Sequence, residues 1–196
     1  MIAGAVLVAA IAGFAGPASA QLSPAWTACQ NEGNGPPDIQ IGACTELIQS
    51  GKQSNRNISI AYGHRGLAYA KKRQYDRAIQ DYDQAIRLEP SHVANYTNRG
   101  IAYKNSGQLD RAIQDYDQAI RLNPNGTNAY YNRGVAYYKK GQYDRAIQDY
   151  DQAIRLAPND ADNFQSRSFA KKAKGDLAGA EADMAAARRL NPNIGR

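Results

Sequence analysis

The sequence predicts an all-α protein in which helical hairpins stack side by side as a solenoid. The first observation is a segment, DRAIQDYDQAIRL, that occurs three times with starts 34 residues apart, at 76–88, 110–122 and 144–156. The second is a proline that recurs on the same period, at Pro90, Pro124, Pro158 and Pro192. A fixed period of this size indicates an array of one supersecondary unit, whose apolar face is covered only when neighbouring units stack.

The length and composition agree with one short array of repeats. The chain has 196 residues, of which 43% are hydrophobic and 21% are charged, and this is enough apolar material for a folded core. Counting back from each proline divides the array 59–196 into four units, at 59–92, 93–126, 127–160 and 161–194.

Each unit divides into two helices joined by a short turn. In the first helix Tyr62, Gly66 and Tyr69 are spaced i, i+4 and i+7, which places them on one face. In the second helix Tyr82 lies on the buried face, and small residues let the two helices approach closely. The later units have a glycine in the turn, but the first unit has Arg73 there, so we expect that turn to be strained or closed differently.

The order of aromatic, Gly, Tyr, turn Gly, Ala, Tyr, Ala and Pro over 34 residues resembles the tetratricopeptide repeat family, and the resemblance covers about 59–194. It implies a right-handed superhelical solenoid of helix-turn-helix repeats, in which first helices line a concave surface and second helices cover the convex one. The fourth unit departs from the pattern at Ser168, Lys171 and Met184, as is typical of a terminal unit.

The N-terminal residues have the pattern of an export signal. Residues 1–20 carry no charge, and an apolar run over 2–14 leads to Ala18-Ser19-Ala20, where small residues precede a cleavage site. We therefore expect 1–20 to be a signal peptide, and the mature protein to be periplasmic or secreted by bacterial export. The alternative is a single N-terminal anchor helix, although the run is short for a membrane span. After processing we expect no integral membrane span.

The only two cysteines, Cys29 and Cys44, follow this signal. In an oxidising compartment such a pair predicts a disulfide, which would pin together the two helices of a degenerate N-terminal capping unit at 21–58. The alternative is a redox-active dithiol. That function usually needs the closer spacing of Cys-x-x-Cys, which this pair lacks.

By position in the 34-residue count, the resemblance implies a peptide-binding groove lined by side chains of the first helices. These side chains are His64, Lys71, Asn98, Lys104, Tyr131, Asn132, Tyr138, Lys139 and Lys172. Asn98 and Asn132 occupy the same place in successive units, where asparagines of some family members form a ladder that bonds the ligand backbone. The alternatives are a solvated polar face for the asparagines, and packing between units for Tyr131 and Tyr138.

The charges divide between the two helices of a unit. The first helices are rich in Lys and Arg, whereas each identical second-helix segment has three Asp and two Arg. The chain has a formal net charge of +6, and we expect the excess positive charge to lie in the groove. Such a groove favours an acidic peptide or a C-terminal carboxylate as its ligand. An arginine recurs at Arg65, Arg99, Arg133 and Arg167. We expect it to brace the helices by pairing with an Asp such as Asp81 or Asp83, in preference to binding phosphate.

These observations exclude several functions and favour one. Two His and two Cys are too few for a zinc site built from those residues alone, and no catalytic motif occurs, so we expect no metal, no cofactor and no enzyme activity. Nucleic-acid binding is disfavoured because the basic helices have acidic neighbours and no stacking platform is evident. We expect a non-catalytic protein-interaction module that acts as an adaptor or assembly scaffold in the cell envelope. The alternatives are a thiol-dependent redox accessory factor that uses Cys29 and Cys44, and a self-associating repeat protein.

Overall fold

The computed structural model describes residues 23–30 and 35–194, and this part of the chain contains ten α-helices and no β-strand. The helices are α1 Pro24–Cys29, α2 Pro37–Gln49, α3 Asn55–Lys71, α4 Tyr75–Leu88, α5 Val93–Asn105, α6 Leu109–Leu122, α7 Thr127–Lys139, α8 Tyr143–Leu156, α9 Ala161–Lys174 and α10 Leu177–Leu190. The expected signal peptide 1–20 lies outside the described residues. Within them, no helix is long and apolar enough to cross a membrane.

The helices pack in chain order, each against the one before and the one after it. The first helices of successive units, α3, α5, α7 and α9, also contact one another. The second helices α4, α6, α8 and α10 make no such contacts among themselves. The first helices therefore form the closer-packed inner surface and the second helices the outer one. The predicted all-α solenoid is confirmed.

A tyrosine and a glycine form the contact between the two helices of each of the three regular units. The tyrosines are at most 2% exposed, and they are Tyr82, Tyr116 and Tyr150. A Cβ atom built on Gly100 would lie 2.6 Å from Cε1 of Tyr116, and one on Gly134 would lie 2.8 Å from Cε1 of Tyr150. Glycine is thus required by space, because the ring of the second helix occupies the position of a side chain on the first.

An arginine on each regular first helix joins two consecutive units. Arg99 donates from Nε and Nη2 to the two carboxylate oxygens of Asp115, at 2.9 and 2.6 Å, and from Nη1 to Asp83 of the preceding unit at 2.5 Å. Burial lowers the pKa of Arg99, but its hydrogen bonds to Asp115 and Asp83 outweigh this effect and raise the pKa, so the guanidinium stays charged. The predicted brace between helices is confirmed, and it also spans the boundary between units.

The same arrangement recurs along the array and changes at its N-terminal end. Arg133 binds Asp149 and Asp117, and Arg167 binds Asp183 and Asp151. Arg65 binds both oxygens of Asp81, at 2.8 and 2.7 Å, but its Nη1 donates to the hydroxyl of Thr45 on α2 at 2.9 Å. A hydroxyl therefore replaces the second carboxylate where the array meets the N-terminal unit.

The N-terminal unit packs onto the array through a disulfide-linked pair of helices. Cys29 of α1 and Cys44 of α2 form a disulfide, and both residues are fully buried. Trp26, Leu47 and Ala61 of α3 belong to the same apolar cluster. Closing this loop contributes about 3 kcal/mol in the chain-entropy model. Helix α3 begins at Asn55, four residues before the expected start of the array, because Ser54 accepts a hydrogen bond from the amide of Asn57 and caps an additional turn.

The turn of the first unit is strained, as the sequence predicts. Arg73 has a φ of 60°, and the glycines at the equivalent positions have φ values of 84°, 72° and 96°. The backbone therefore keeps one left-handed turn geometry in every unit, although a residue with a Cβ atom adopts it at a cost.

We expect Arg73→Gly to raise the free energy of unfolding by about 1 kcal/mol, because glycine adopts a positive φ without steric cost. Thermal unfolding followed by circular dichroism measures the change. Gly107→Arg, the reverse exchange in the second unit, should lower stability by a similar amount. A loss of stability in Arg73→Gly would contradict the assignment of strain.

Candidate peptide-binding groove

The inner surface formed by α3, α5 and α7, called here the inner groove, contains two open clefts. The first, of about 270 Å³, lies between α3 and α5 and is lined by residues that include Ile60, His64, Leu67 and Asn98. The second, of about 470 Å³, lies between α5 and the start of α7 and is lined by residues that include Ala94, Thr97, Asn98 and Asn128. Ala94 and Asn98 line both clefts, so the two clefts meet at this turn of α5.

A lysine and an asparagine from neighbouring first helices are bonded to each other in the inner groove. Nζ of Lys104 on α5 donates to Oδ1 of Asn132 on α7 at 2.8 Å, and Nδ2 of Asn132 donates to the carbonyl oxygen of Asn128 at 2.9 Å. Burial lowers the pKa of Lys104, and the positive charge of Lys139 lowers it further. We call Lys104, Asn132 and Lys139 the lysine cluster.

The two ammonium groups of the lysine cluster have no carboxylate partner among the described residues. Neither Lys104 nor Lys139 takes part in an ion pair within residues 23–30 and 35–194. Two ammonium groups that destabilise each other are stabilised together by an anion placed between them. The arrangement is therefore suited to hold a carboxylate.

Tyr131 and Tyr138 both take part in packing. The ring centroid of Tyr131 lies 6.0 Å from that of Tyr150, and its hydroxyl accepts a hydrogen bond from Ser166 at 3.4 Å. The ring centroid of Tyr138 lies 5.6 Å from that of Tyr143, but Tyr138 remains 37% exposed. Tyr138 thus offers more free surface to a ligand than Tyr131, which is largely engaged between units.

The remaining predicted groove residues are spread along the array. His64 lines the first cleft, and Lys71 is exposed at the end of α3. Lys172 instead lines a cleft of about 690 Å³ between α9 and α10, together with Phe169 and Leu177, which are 47% and 65% exposed. The structure therefore brings together Lys104, Asn132 and Lys139 in one cluster, whereas Lys172 belongs to the end of the array.

Ion pairs reduce the positive charge that the sequence predicts for the groove. The arginines of the first helices are held by second-helix carboxylates, as described above. Several lysines are held in the same way, in the pairs Lys72–Asp38, Lys140–Asp110, Lys171–Asp183 and Lys174–Asp144. Of the first-helix cations, the pairs within the described residues leave out Arg56 and Lys71 of α3, Lys104, Lys139 and Lys172, and they also leave out Arg73 in the turn after α3. The positive charge of the inner groove is thus local and centred on the lysine cluster.

Sequence reasoning did not identify the apolar floor of the clefts or the backbone acceptor of Asn132. Ile60 and Leu67 line the first cleft and lie one helical turn before and one turn after His64. Asn128 precedes Asn132 by one turn. The sequence gives the positions of these residues in the 34-residue count, but it does not give the direction in which each side chain points. Among the described residues no group of His, Cys, Asp and Glu is placed to hold a metal ion.

Two models of the tetratricopeptide repeat match this chain, one over residues 59–92 and the other over residues 97–161. Together they span half of the 196 residues, and they fall on the helix pairs described above. The protein belongs to the tetratricopeptide repeat family, whose arrays serve as scaffolds for protein interactions.

The comparison with solved structures agrees with this assignment. A crystal structure of MamA superimposes with a TM-score of 0.72 at 24% identity, covering 80% of this chain and 89% of that one. The structure of MamA 41-end from Desulfovibrio magneticus RS-1 gives a TM-score of 0.73 at 22% identity, covering 83% and 89%. These similarities establish the fold. No curated protein sequence matches the chain.

Proposed function

We propose that this protein is a non-catalytic adaptor of the cell envelope that binds an extended, acidic segment of a partner protein in the inner groove. The observation that carries the proposal is the lysine cluster, in which Lys104 is partly desolvated and bonded to Asn132, and in which the positive charge of Lys139 further lowers the pKa of Lys104. Keeping a charge in such a place costs stability, and such a cost is common where a residue is retained for binding.

The position of the cluster suits a peptide that lies along the groove. The two clefts offer apolar walls, and Asn98 lines both of them on α5, the helix that also carries Lys104. An amide side chain donates and accepts, which matches the donors and acceptors of a peptide backbone. We infer that apolar side chains of the ligand occupy the first cleft and that its carboxylate, from an acidic side chain or the C-terminus, reaches Lys104 and Lys139.

Replacing Lys104 by Met tests this function. We expect Lys104→Met to weaken the binding of short Gly-Ser-Glu peptides with a free carboxyl terminus by about tenfold, because one of the two cations is lost. The folded state should be as stable as before or more so, because a desolvated charge is removed. Fluorescence anisotropy measures binding, and urea unfolding measures stability. Equal binding by both forms would contradict the groove assignment.

Lys174→Met is the matched control, because it removes a cation at the end of α9 that pairs with Asp144 of the preceding unit and does not belong to the lysine cluster. It should leave peptide binding unchanged.

The dependence of binding and stability on pH is a second readout, since burial and the charge of Lys139 lower the pKa of Lys104. The affinity for the acidic peptide should fall as the pH rises through that lowered value. Between that lowered pKa and the ordinary lysine pKa, Lys104 binds more protons in the unfolded chain than in the folded one, so the free energy of unfolding should rise with pH. Lys104→Met should abolish both this rise in stability and the fall in affinity.

Location in the envelope rests on the sequence pattern of residues 1–20 together with the disulfide of the N-terminal unit, which suits an oxidising compartment. The buried disulfide also favours a structural function for Cys29 and Cys44 over thiol chemistry, because neither sulfur is accessible to a substrate. Fusion of the first twenty residues to a reporter that folds only after export tests the location.

A further inference from the structure

We propose that the outer surface of the array is a second binding surface, for a linear acidic polysaccharide. The surface, called here the outer stripe, consists of Arg77, Gln80, Gln84 and Arg87 of α4 and of the residues at the same places of the 34-residue period on α6 and α8. These four residues recur on one face of each second helix, since they are spaced at three, four and three residues.

The outer stripe is identical in three units although packing does not require it. Both arginines and the first glutamine of the stripe are exposed in every unit. The first helices of the same units differ at comparable positions, where His64 of the first unit corresponds to Asn98, and Lys71 corresponds to Asn105. The whole second-helix segment is identical, its exposed residues included, whereas exposed residues of the first helices vary, so the three units present the same outer chemistry to the same kind of ligand.

The arginines of the outer stripe carry charge that no carboxylate of the described residues neutralises in an ion pair. Most carboxylates of the second helices are engaged with other cations. Asp115 and Asp149 hold the arginines of their own units, and Asp83 and Asp117 hold those of the next, whereas Asp76 takes part in none of the ion pairs within the described residues. None of the ion pairs within the described ranges includes the stripe arginines, which are Arg77, Arg87, Arg111, Arg121, Arg145 and Arg155. Each segment has a formal charge of −1, and its exposed Asp76, Asp110 or Asp144 lies next to the first arginine of the stripe in the sequence, but the four residues of the stripe itself carry two positive charges and no negative one in each unit.

These arginines are also oriented before any ligand arrives. The guanidinium carbons of Arg111 and Arg145 lie 5.7 and 5.5 Å from the ring centroids of Tyr103 and Tyr137. Arg121 donates to Oε1 of Gln118 from both Nε and Nη2, at 2.9 and 2.6 Å. Side chains that are held in this way lose less conformational freedom on binding, so a contact made by each is worth more.

The chemistry of the outer stripe favours a polysaccharide over other polyanions. A guanidinium binds a carboxylate through two parallel hydrogen bonds, and the glutamine amides donate to and accept from sugar hydroxyls. The tyrosines that support the arginines are half-buried, so the stripe presents no free aromatic platform on which nucleic-acid bases would stack. A surface that repeats three times gains affinity by multivalency when its ligand repeats as well.

The test compares two triple variants that lose the same charge. The outer variant replaces Arg87, Arg121 and Arg155 by Gln, and the inner variant replaces Lys71, Lys139 and Lys172 by Gln. All six residues are exposed, and Gln is a good helix former, so both variants should keep the fold. Circular dichroism and thermal unfolding verify this. The probes are oligogalacturonates of increasing length, titrated by isothermal calorimetry at several salt concentrations.

We expect the affinity of the unmodified protein for oligogalacturonate to rise with the length of the oligomer as it reaches the second and third units. The outer variant should bind the longest oligomer about tenfold more weakly and with a shallower salt dependence, whereas the inner variant should change by less than about twofold. Equal losses in both variants would overturn the proposal. It would also be overturned by tighter binding of oligothymidylate of the same charge, by tighter binding of polyglutamate to the inner variant, in which cations of the inner groove are removed, or by no binding of oligogalacturonate.

Discussion

Gly134→Leu should disrupt the third unit and lower the free energy of unfolding by about 3 kcal/mol or more. Even the first added atom, Cβ, would lie 2.8 Å from Cε1 of Tyr150, and the next two ring atoms would be 3.1 and 3.2 Å away. Tyr150 is 2% exposed. Its ring cannot move to another position, because Ala146 of the same unit and Ala170 of the next unit pack in the same cluster. The two helices of the unit must therefore separate. Urea unfolding followed by circular dichroism and by tyrosine fluorescence measures the loss.

Gly42→Leu is the matched control, because Gly42 is also within a helix but a Cβ atom there has no neighbour within 4 Å. Leucine favours the helix by up to about 1 kcal/mol over glycine, so this variant should be as stable as the unmodified protein or more stable. If the two variants lost the same stability, the close contact between Gly134 and Tyr150 would not be the cause.

Asp149→Ala should lower the free energy of unfolding by about 3 kcal/mol, because it removes the carboxylate that binds Arg133 through two hydrogen bonds of 2.9 and 2.6 Å. The side chain of Asp149 is only 7% exposed and that of Arg133 is 19% exposed, so the guanidinium loses its main partner where water cannot replace it. Thermal and urea unfolding measure the change.

The same arginine provides its own control. Asp117 of the preceding unit accepts a single hydrogen bond from Nη1 of Arg133 at 2.6 Å, and its side chain is 37% exposed. Asp117→Ala should cost 1 kcal/mol or less, since an exposed ion pair is weak. The double variant Arg133→Met with Asp149→Leu should recover most of the stability that Asp149→Ala loses. Similar losses for Asp117→Ala and Asp149→Ala would contradict the view that burial determines the effect.

The packing of each unit could be predicted from the sequence because its determinants are local. The positions of Gly66 and Tyr82 follow from helical periodicity within one unit, and the pairing of Arg65 with Asp81 spans only 16 residues. These contacts depend on a hairpin that is the same in every unit. The strain at Arg73 could be predicted for the same reason, since a glycine occupies that place in the other turns.

The relations between units could not be predicted in the same way, because they depend on how one hairpin is rotated against the next. The second hydrogen bond of Arg99, to Asp83, is such a contact, and so is the bond between Lys104 and Asn132. The ion pair of Lys140 with Asp110 is a third. Pairs of this kind remove several cations from the expected groove, and for this reason the candidate site is smaller than the charge pattern alone implies.

The arginine that bridges two units also determines the order in which the units can stack. Since α4, α6 and α8 differ only at their first residue or not at all, a hairpin displaced by a whole period would find nearly the same apolar surface. The bridge distinguishes the correct neighbour at the ends, because Thr45 stands opposite Arg65, and Ala185 stands where the earlier units have Asp83, Asp117 and Asp151. In a chain folded one hairpin out of register, a guanidinium would face a methyl group. This mismatch makes the misfolded arrangement less stable than the native stacking, so the chain leaves it more readily.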